Sequence, residues 1–282
     1  MTLGVLSDSI TRTLVQALGP GEGKATARLV MEDVAGFDRT KIFTSGHLVL
    51  EPETVARVLK AVGRIVAGEP PQYVVGQARF MGMDFKVTPA TLIPRPETEG
   101  LVDMITDDAG RRTGLRVLDI ATGSGCIAIA LARALVFPTV EATDISEAAL
   151  QVAAANARAL NVNVTFEHAD ILALVPPSAP EYDIIVSNPP YIAEDEKPAM
   201  DRRVVDYEPA SALFVPDDDP LRFYRPIGRY AAKALRPAGA LYLEINPRFA
   251  ANLTAMLVAD GFTDVQVFRD YPGRNRFIRA RI

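Results

Sequence analysis

The tetrapeptide Asn188-Pro189-Pro190-Tyr191 closes an apolar run that begins at Tyr182 and ends at Ser187. Ile184, Ile185 and Val186 read as a strand buried on both faces. Asn188 then falls at its carboxyl end, where open α/β sheets bind ligands. Neither proline can donate to a ladder, and the residue before each is pushed towards extended geometry. The turn is therefore stiff, and its carbonyls and the Asn188 amide are left to face a ligand. With the Tyr191 ring beside them, they offer two fixed acceptors and a flat face, a socket for a planar nitrogen such as a carboxamide or an exocyclic amine. The plainer alternative is a loop in which Asn188 caps a turn and Tyr191 only packs.

A second feature lies upstream. Residues 116–121 form a short apolar strand that runs into Thr122-Gly123-Ser124-Gly125, and Cys126 to Arg133 reads as a helix. Strand, glycine turn and helix open a nucleotide-binding α/β unit, in which glycine lets backbone approach the ligand. The spacing is not the G-x-G-x-x-G of dinucleotide sites, and no Lys-Ser/Thr follows to make a phosphate loop. The next strand, 139–145, carries Asp144 near its end, where a carboxylate suits the two hydroxyls of a ribose. Asp119, at the end of the first strand, is placed to organise the turn rather than to act as a base. A glycine turn and an acid are weak signals alone. Followed by the Asn-Pro-Pro-Tyr strand end, they put a nucleoside site beside an amide site.

These residues resemble those of the class I S-adenosylmethionine-dependent methyltransferases. Within that class the chain is similar to the protein-(glutamine-N5) methyltransferases that modify peptide chain release factors, the PrmC/HemK family. The likeness runs from about residue 66 to the C-terminus and is weaker over the first sixty. It rests on residues 68–76, 80–85 and 92–99, the Asp119 to Gly125 turn, Asn188 to Tyr191, residues 205–213 and residues 270–276. The resemblance implies a Rossmann-like sheet of seven strands, mostly parallel, with a small N-terminal helical domain and a β-hairpin linker. It implies S-adenosyl-L-methionine as cofactor, bound by Asp119, Ala121, Thr122, Gly123, Ser124, Gly125, Asp144 and Asn188, with Asp170 and Ile171 flanking the adenine. Asn188, Pro189, Pro190 and Tyr191 become the catalytic and substrate-binding residues, joined on the substrate side by Arg95. Two positions depart from the pattern. Ala121 stands where the family usually has glycine, so a negative φ is expected there. Asn246 also replaces a usual glycine, and asparagine tolerates left-handed backbone well enough to keep such a turn.

The implied substrate is the glutamine of the Gly-Gly-Gln motif of release factors. A glutamine methyltransferase acting on a ribosomal protein would share every motif named. Enzymes that methylate the exocyclic amines of adenine or cytosine share the Asn-Pro-Pro-Tyr signature, because those nitrogens are equally planar. A DNA enzyme would need a basic groove and a target-reading module, yet residues 1–88 carry ten Lys/Arg against nine Asp/Glu. That balance favours a protein substrate and no direct contact with nucleic acid. A module that only binds nucleosides would not require the stiff strand-end turn.

Composition agrees with a soluble globular protein. The 282 residues are 49% hydrophobic and 23% charged with a net charge of −5, enough chain for one large and one small domain. The single cysteine, Cys126, excludes an internal disulfide, and with His47 and His168 it makes no metal-ligand spacing. Its place on an apolar helix start predicts burial. The N-terminus has no basic segment, and the apolar stretch 126–137 is too short to span a bilayer. A cytoplasmic protein with no membrane partner is expected.

The elements that position these residues divide the chain into 1–75, a helical bundle for substrate recognition, 76–98, a hairpin and linker, and 99–282, the methyltransferase part. Val55, Val58, Leu59, Val62, Ile65 and Val66 recur at helical spacing between Pro52 and Gly68. Leu14 and Leu18 mark an earlier helix, and residues 25–34 another. Residues 77–93 alternate as a hairpin with its turn over 81–84. Strands are expected near 116–121, 139–145, 164–170, 182–187, 240–245, 264–270 and 275–281. The linker 93–99 is stiffened by Pro94 and Pro96, with a helix cap at Thr98 as one reading. The other has Arg95, Glu97 and Glu99 lining a cleft between domains. Asp217 to Asp219, before Pro220, read as a solvated turn and helix cap.

Overall fold

The computed structural model describes residues 1–282. The chain divides into two compact units, Met1–Gln77 with Asp201–Tyr207, and Ala78–Met200 with Glu208–Ile282.

The smaller unit is helical: α1 (Leu3–Leu18), α2 (Pro20–Asp33), α3 (Arg39–Thr44), α4 (Pro52–Val66) and α5 (Pro71–Val75). Prolines open α2, α4 and α5, where a missing N–H costs nothing. Leu3, Leu6, Ile10 and Leu14 of α1 meet Val58, Val62 and Ile65 of α4 in one core cluster. A short helix from late in the chain, Arg202–Tyr207, belongs to this unit, and Arg203 within it pairs with Glu22 of α2. Nothing in the local sequence marks that return.

The larger unit begins one residue into a hairpin of β1 (Gln77–Phe80) and β2 (Met83–Lys86). Its turn is Met81-Gly82 alone, both at positive φ, the two-residue geometry whose twist suits paired strands. Met83 and Asp84, expected in the turn, lie in β2. The remaining elements are α6 (Pro96–Ala109), β3 (Arg116–Ile120), α7 (Cys126–Ala134), β4 (Thr139–Asp144), α8 (Glu147–Ala159), β5 (Thr165–His168) and β6 (Tyr182–Ser187). Then come β7 (Ile192–Ala193), the Arg202–Tyr207 helix as α9, β8 (Phe214–Val215), α10 (Tyr224–Ala234), β9 (Leu235–Glu244), α11 (Ala250–Ala259), β10 (Asp264–Arg269) and β11 (Asn275–Arg281). The seven-stranded sheet has the order β10-β11-β9-β6-β3-β4-β5. Neighbours from β9 to β5 are parallel, and the two contacts of β11 are antiparallel. The strand pair β7–β8 is an addition that the sequence reading lacks, and β9 starts at Leu235 rather than at 240. No helix is long and apolar enough to cross a membrane.

Two core clusters face the sheet, one around Val117, Ile129, Ile184 and Tyr242, the other around Leu118, Ile185, Ile227 and Leu243. Alternate residues of β3 and β6 therefore serve opposite faces, which explains why both strands read as unbroken apolar runs. Strand order reverses between β3 and β6, so the crevice at their carboxyl ends is the topological switch point.

Candidate active site

Four strand ends line that crevice in register. Ile120 pairs with Thr143 of β4 on one side and Ser187 of β6 on the other, and Ser187 pairs with Leu243 of β9. Asp144, the turn after β3, Asn188 and Glu244 thus stand in a row across three strand spacings, roughly 14 Å.

The turn after β3 is built by left-handed residues. Ala121 has φ 61, Gly123 φ 57 and Gly125 φ 81. The negative φ expected of Ala121 is wrong: the Thr122 N–H bonds the Thr143 carbonyl at 2.9 Å, and turning the chain there requires the left-handed region. For a residue with a Cβ this costs about 1–2 kcal/mol. At Gly125 a Cβ would also meet the Ala153 Cβ at 3.0 Å and the Ile129 Cδ1 at 3.1 Å, whereas beside Gly123 the space is open. Buried Asn156 of α8 anchors the turn from behind. Its Nδ2 donates to the Ser124 carbonyl at 2.9 Å and to the Lys86 carbonyl at 3.0 Å, and its Oδ1 accepts from the Lys86 N–H at 2.7 Å.

Two carboxylates belong to this turn. Asp144 accepts the Gly123 N–H and the Ser146 N–H, each at 2.8 Å. Burial raises its pKa against the pull of those bonds. Asp119 is fully buried; its Oδ2 accepts the Thr122 hydroxyl at 2.6 Å and the Ala128 N–H at 3.2 Å, while Oδ1 has no partner. Burial pushes its pKa up to about 7, with nearby Asp144 adding to the rise. Native Asp119 therefore keeps a proton that the unfolded chain has already released between pH 4 and 7. Its contribution to stability falls by roughly 1.4 kcal/mol per pH unit as pH rises through that window. Asp119→Asn should remove this slope and stabilise the protein at pH 8. Urea unfolding of both proteins at pH 5 and pH 8 checks it; equal slopes would show that Asp119 is ionised throughout.

At the end of β6 the Ser187 hydroxyl donates to the Ile120 carbonyl at 2.6 Å, tying the two strand ends together. Asn188 is half-buried, and its Nδ2 makes a long contact of 3.4 Å with Thr98 Oγ1. The Thr98 hydroxyl donates to Glu244 Oε2 at 2.7 Å, and the Tyr191 hydroxyl donates to Glu244 Oε1 at 3.0 Å. Arg276 Nη1 lies 3.5 Å from the Tyr191 hydroxyl. Burial raises the pKa of Glu244, and the hydroxyls of Thr98 and Tyr191 oppose it. Asn188 Oδ1 and the Pro189 carbonyl accept no hydrogen bond within the fold.

Thr98 is not a helix cap: α6 starts at Pro96 behind an extended Arg95, and the Thr98 side chain is given to Glu244. Asn246 is extended, with φ −74, not left-handed. Its amide is required elsewhere, donating to the Tyr191 carbonyl at 3.1 Å and to Glu196 Oε1 at 2.7 Å. Asp217 and Asp219 do not cap α10; Asp217 accepts the Asp195 N–H at 2.8 Å and Asp219 pairs with Arg225. Arg95 bonds buried Glu208 at 2.6 Å, and Glu99 accepts the Met81 N–H at 2.6 Å. Asp170 caps the 3₁₀ turn that follows β5, with Ile171 buried in the core behind it. Cys126 is buried, and burial pushes its thiol up to about 12.

The residues present fit a nucleoside carrying a cationic, amino-acid-like arm. There is a left-handed turn with open space beside Gly123, a carboxylate at the next strand end, and an unpartnered acidic oxygen at Asp119.

Fold and strand-end turn together define a class I S-adenosylmethionine-dependent methyltransferase. The chain superposes on a methyltransferase from Pyrococcus furiosus with a TM-score of 0.50 and 18% identity, covering 82% of this chain and 98% of that one. It also superposes on a T. thermophilus 16S rRNA N2 G1207 methyltransferase, with a TM-score of 0.52 and 20% identity over 73% and 49% of the two chains. Likeness at that identity establishes the fold alone. Residues 97–207 match the Methyltransferase small domain, and residues 9–76 match the PrmC N-terminal domain. The release factor glutamine methyltransferase of Bacteroides thetaiotaomicron is 42% identical over 96% of this chain and 97% of its own length. That of Koribacter versatilis is 36% identical over 100% and 99%. The chain belongs to the release factor glutamine methyltransferase family.

Proposed function

We propose that this protein transfers the methyl group of S-adenosyl-L-methionine to the side-chain nitrogen, N5, of the glutamine in the Gly-Gly-Gln motif of peptide chain release factors. The observation that carries the reading is the pair of unengaged acceptors, Asn188 Oδ1 and the Pro189 carbonyl, held at the end of β6 beside the glycine turn. When bound, S-adenosylmethionine supplies an electrophilic methyl group on a sulfonium. A carboxamide nitrogen is a poor nucleophile because its lone pair is delocalised into the carbonyl. Asn188 and Pro189 would each accept one of its N–H bonds, holding the nitrogen so that it can pyramidalise. Acceptors of this kind strengthen as positive charge develops, so most of the catalysis is orientation and electrostatics. Pro190 stiffens the turn, and Tyr191 lays its ring against the flat amide with its hydroxyl tethered to Glu244. Asp144 would take the ribose hydroxyls, and Ala121 to Gly125 the methionyl arm, with Asp119 behind them. Asp170 and Ile171 would border the adenine.

On this reading residues 1–75 recognise the substrate, 76–98 form the hairpin and linker, and 99–282 carry the transfer, in the cytoplasm where translation ends. Mass spectrometry of a release factor incubated with the protein and S-adenosylmethionine is the direct test. A mass gain of one methyl group on the Gly-Gly-Gln glutamine supports the proposal. Transfer to a ribosomal protein or to DNA, with the release factor ignored, would replace it.

Arg95 is assigned to the substrate side. Its removal also leaves the buried Glu208 carboxylate with the Ile93 N–H at 3.0 Å as its remaining hydrogen bond. Arg95→Ala should therefore lower melting temperature and reduce kcat/KM for the release factor by about tenfold. KM for S-adenosylmethionine should stay unchanged. Normal kinetics with lowered stability would make Arg95 a linker brace only.

A further inference from the structure

The Asn188 side chain has two ends of nearly equal shape, and only one of them can serve the proposed reaction. If Oδ1 faces the substrate, the socket accepts an N–H; if the amide turns over, it presents a donor to a group that has only donors. Something must fix the sense of the amide, and Asn188 itself cannot.

The surrounding hydrogen bonds fix it in one direction. Glu244 is buried, at 1% exposure, and as a carboxylate it has acceptors and no donor. It therefore takes the single proton of the Thr98 hydroxyl at 2.7 Å. With that proton committed, Thr98 Oγ1 can only accept, so the Asn188 atom facing it at 3.4 Å must be Nδ2. Oδ1 is left turned away. The second oxygen of Glu244 holds the Tyr191 hydroxyl at 3.0 Å, so one carboxylate at the end of β9 governs both chemistry-bearing side chains at the end of β6. The backbone of this region is tied down independently. The Tyr224 hydroxyl donates to the Glu244 carbonyl at 2.9 Å, and the Asn246 amide holds the Tyr191 carbonyl at 3.1 Å.

We infer that Glu244 and Thr98 are positioning residues: the buried carboxylate polarises the Thr98 hydroxyl, which in turn locks Asn188 with its oxygen towards the substrate nitrogen. The inference rests on the proposed role of Asn188. It does not depend on which protein carries the glutamine. The relay joins α6, β6 and β9 through side chains alone.

Thr98→Val, which keeps the shape and removes the hydroxyl, should lower kcat by about ten- to a hundredfold, the usual penalty for a misaligned group. The dissociation constant for S-adenosylmethionine should stay within about threefold, less than the tenfold shift one lost hydrogen bond can produce. Thr98→Ser should restore most of the rate, and Glu244→Gln, which replaces one acceptor by a donor, should behave like Thr98→Val. In an Asn188→Ala background Thr98→Val should cost nothing further, because there is no amide left to orient. A signal from the protein alone gives a second readout. In NMR spectra the Asn188 side-chain NH₂ should be protected from exchange in the wild type and in Thr98→Ser, and should lose protection in Thr98→Val and Glu244→Gln. Full turnover of Thr98→Val in a protein that Asn188→Ala inactivates would overturn the relay and leave the site standing. Full turnover of Asn188→Ala would overturn the site itself. Unchanged NH₂ protection across the four proteins would overturn the relay whatever the substrate proves to be.

Discussion

Asn188→Ala should reduce methylation of the release-factor glutamine by about a hundred- to a thousandfold in kcat, the loss typical of an acceptor whose value appears mainly in the transition state. Binding of S-adenosylmethionine should change far less, because the turn after β3 and Asp144 lie on neighbouring strand ends and make their own contacts. Tyr191→Ala should impair turnover less, since it removes a stacking face and leaves both acceptors. Asn188→Asp is informative in a different way. Thr98 gives its proton to Glu244, so an aspartate at 188 would set a carboxylate oxygen against the Thr98 lone pairs, with a second carboxylate behind them. Either the Thr98 hydroxyl turns from Glu244 or the new acid is held protonated; little activity should remain at neutral pH. Changing the substrate glutamine to glutamate removes the amide and should end transfer completely. Single-turnover assays with saturating cofactor separate these effects from binding. Full turnover of Asn188→Ala on a folded release factor would mean that the active site lies elsewhere.

What the sequence could show follows from how local each signal is. The Asn188–Tyr191 turn and the Thr122–Gly125 turn announce themselves because prolines and glycines act on their own backbone. The helix over Pro52–Val66 was equally plain, with a proline to start it and apolar spacing to face it inward. Residues whose meaning depends on a distant partner were illegible. Thr98 near a helix start reads as a cap, yet its partner Glu244 lies 146 positions away. Asn156 is an unremarkable helix residue until Ser124, 32 positions earlier, is seen to need its amide. Asn246 invited a backbone explanation because asparagine tolerates left-handed geometry, whereas its side chain is what the Tyr191 loop uses. Ala121 failed in the opposite sense: its type suggested ordinary backbone, and the turn holds it at φ 61. Tertiary demand overrode local preference at these positions, and they cluster around the crevice, where such conflicts are expected.

Asp144→Ala should weaken S-adenosylmethionine binding by about ten- to a hundredfold, the equivalent of roughly 1.5–3 kcal/mol for charge-assisted hydrogen bonds to a ribose. The geometry adds a complication. Each Asp144 oxygen already accepts a backbone N–H, from Gly123 and from Ser146, so the residue also closes the turn it serves. Alanine would leave both donors to solvent, and part of the lost affinity would be the cost of ordering the turn on binding. Asparagine should do no better: one end accepts as before, but the other sets an NH₂ against an N–H donor. The two contributions separate with a ligand that lacks the hydroxyls. Wild-type protein should bind adenosine more tightly than its 2′,3′-dideoxy analogue, whereas Asp144→Ala should hardly distinguish them. Protonation acts in the same direction as the mutation. Burial raises the pKa of Asp144, and the neutral acid gives up one acceptor, so affinity should fall as pH drops through that raised value and the variant should lose this dependence. Calorimetry across the acid range with both ligands reads all of this. Equal discrimination by the two proteins would leave Asp144 as a brace for the turn, with the ribose bound by something else.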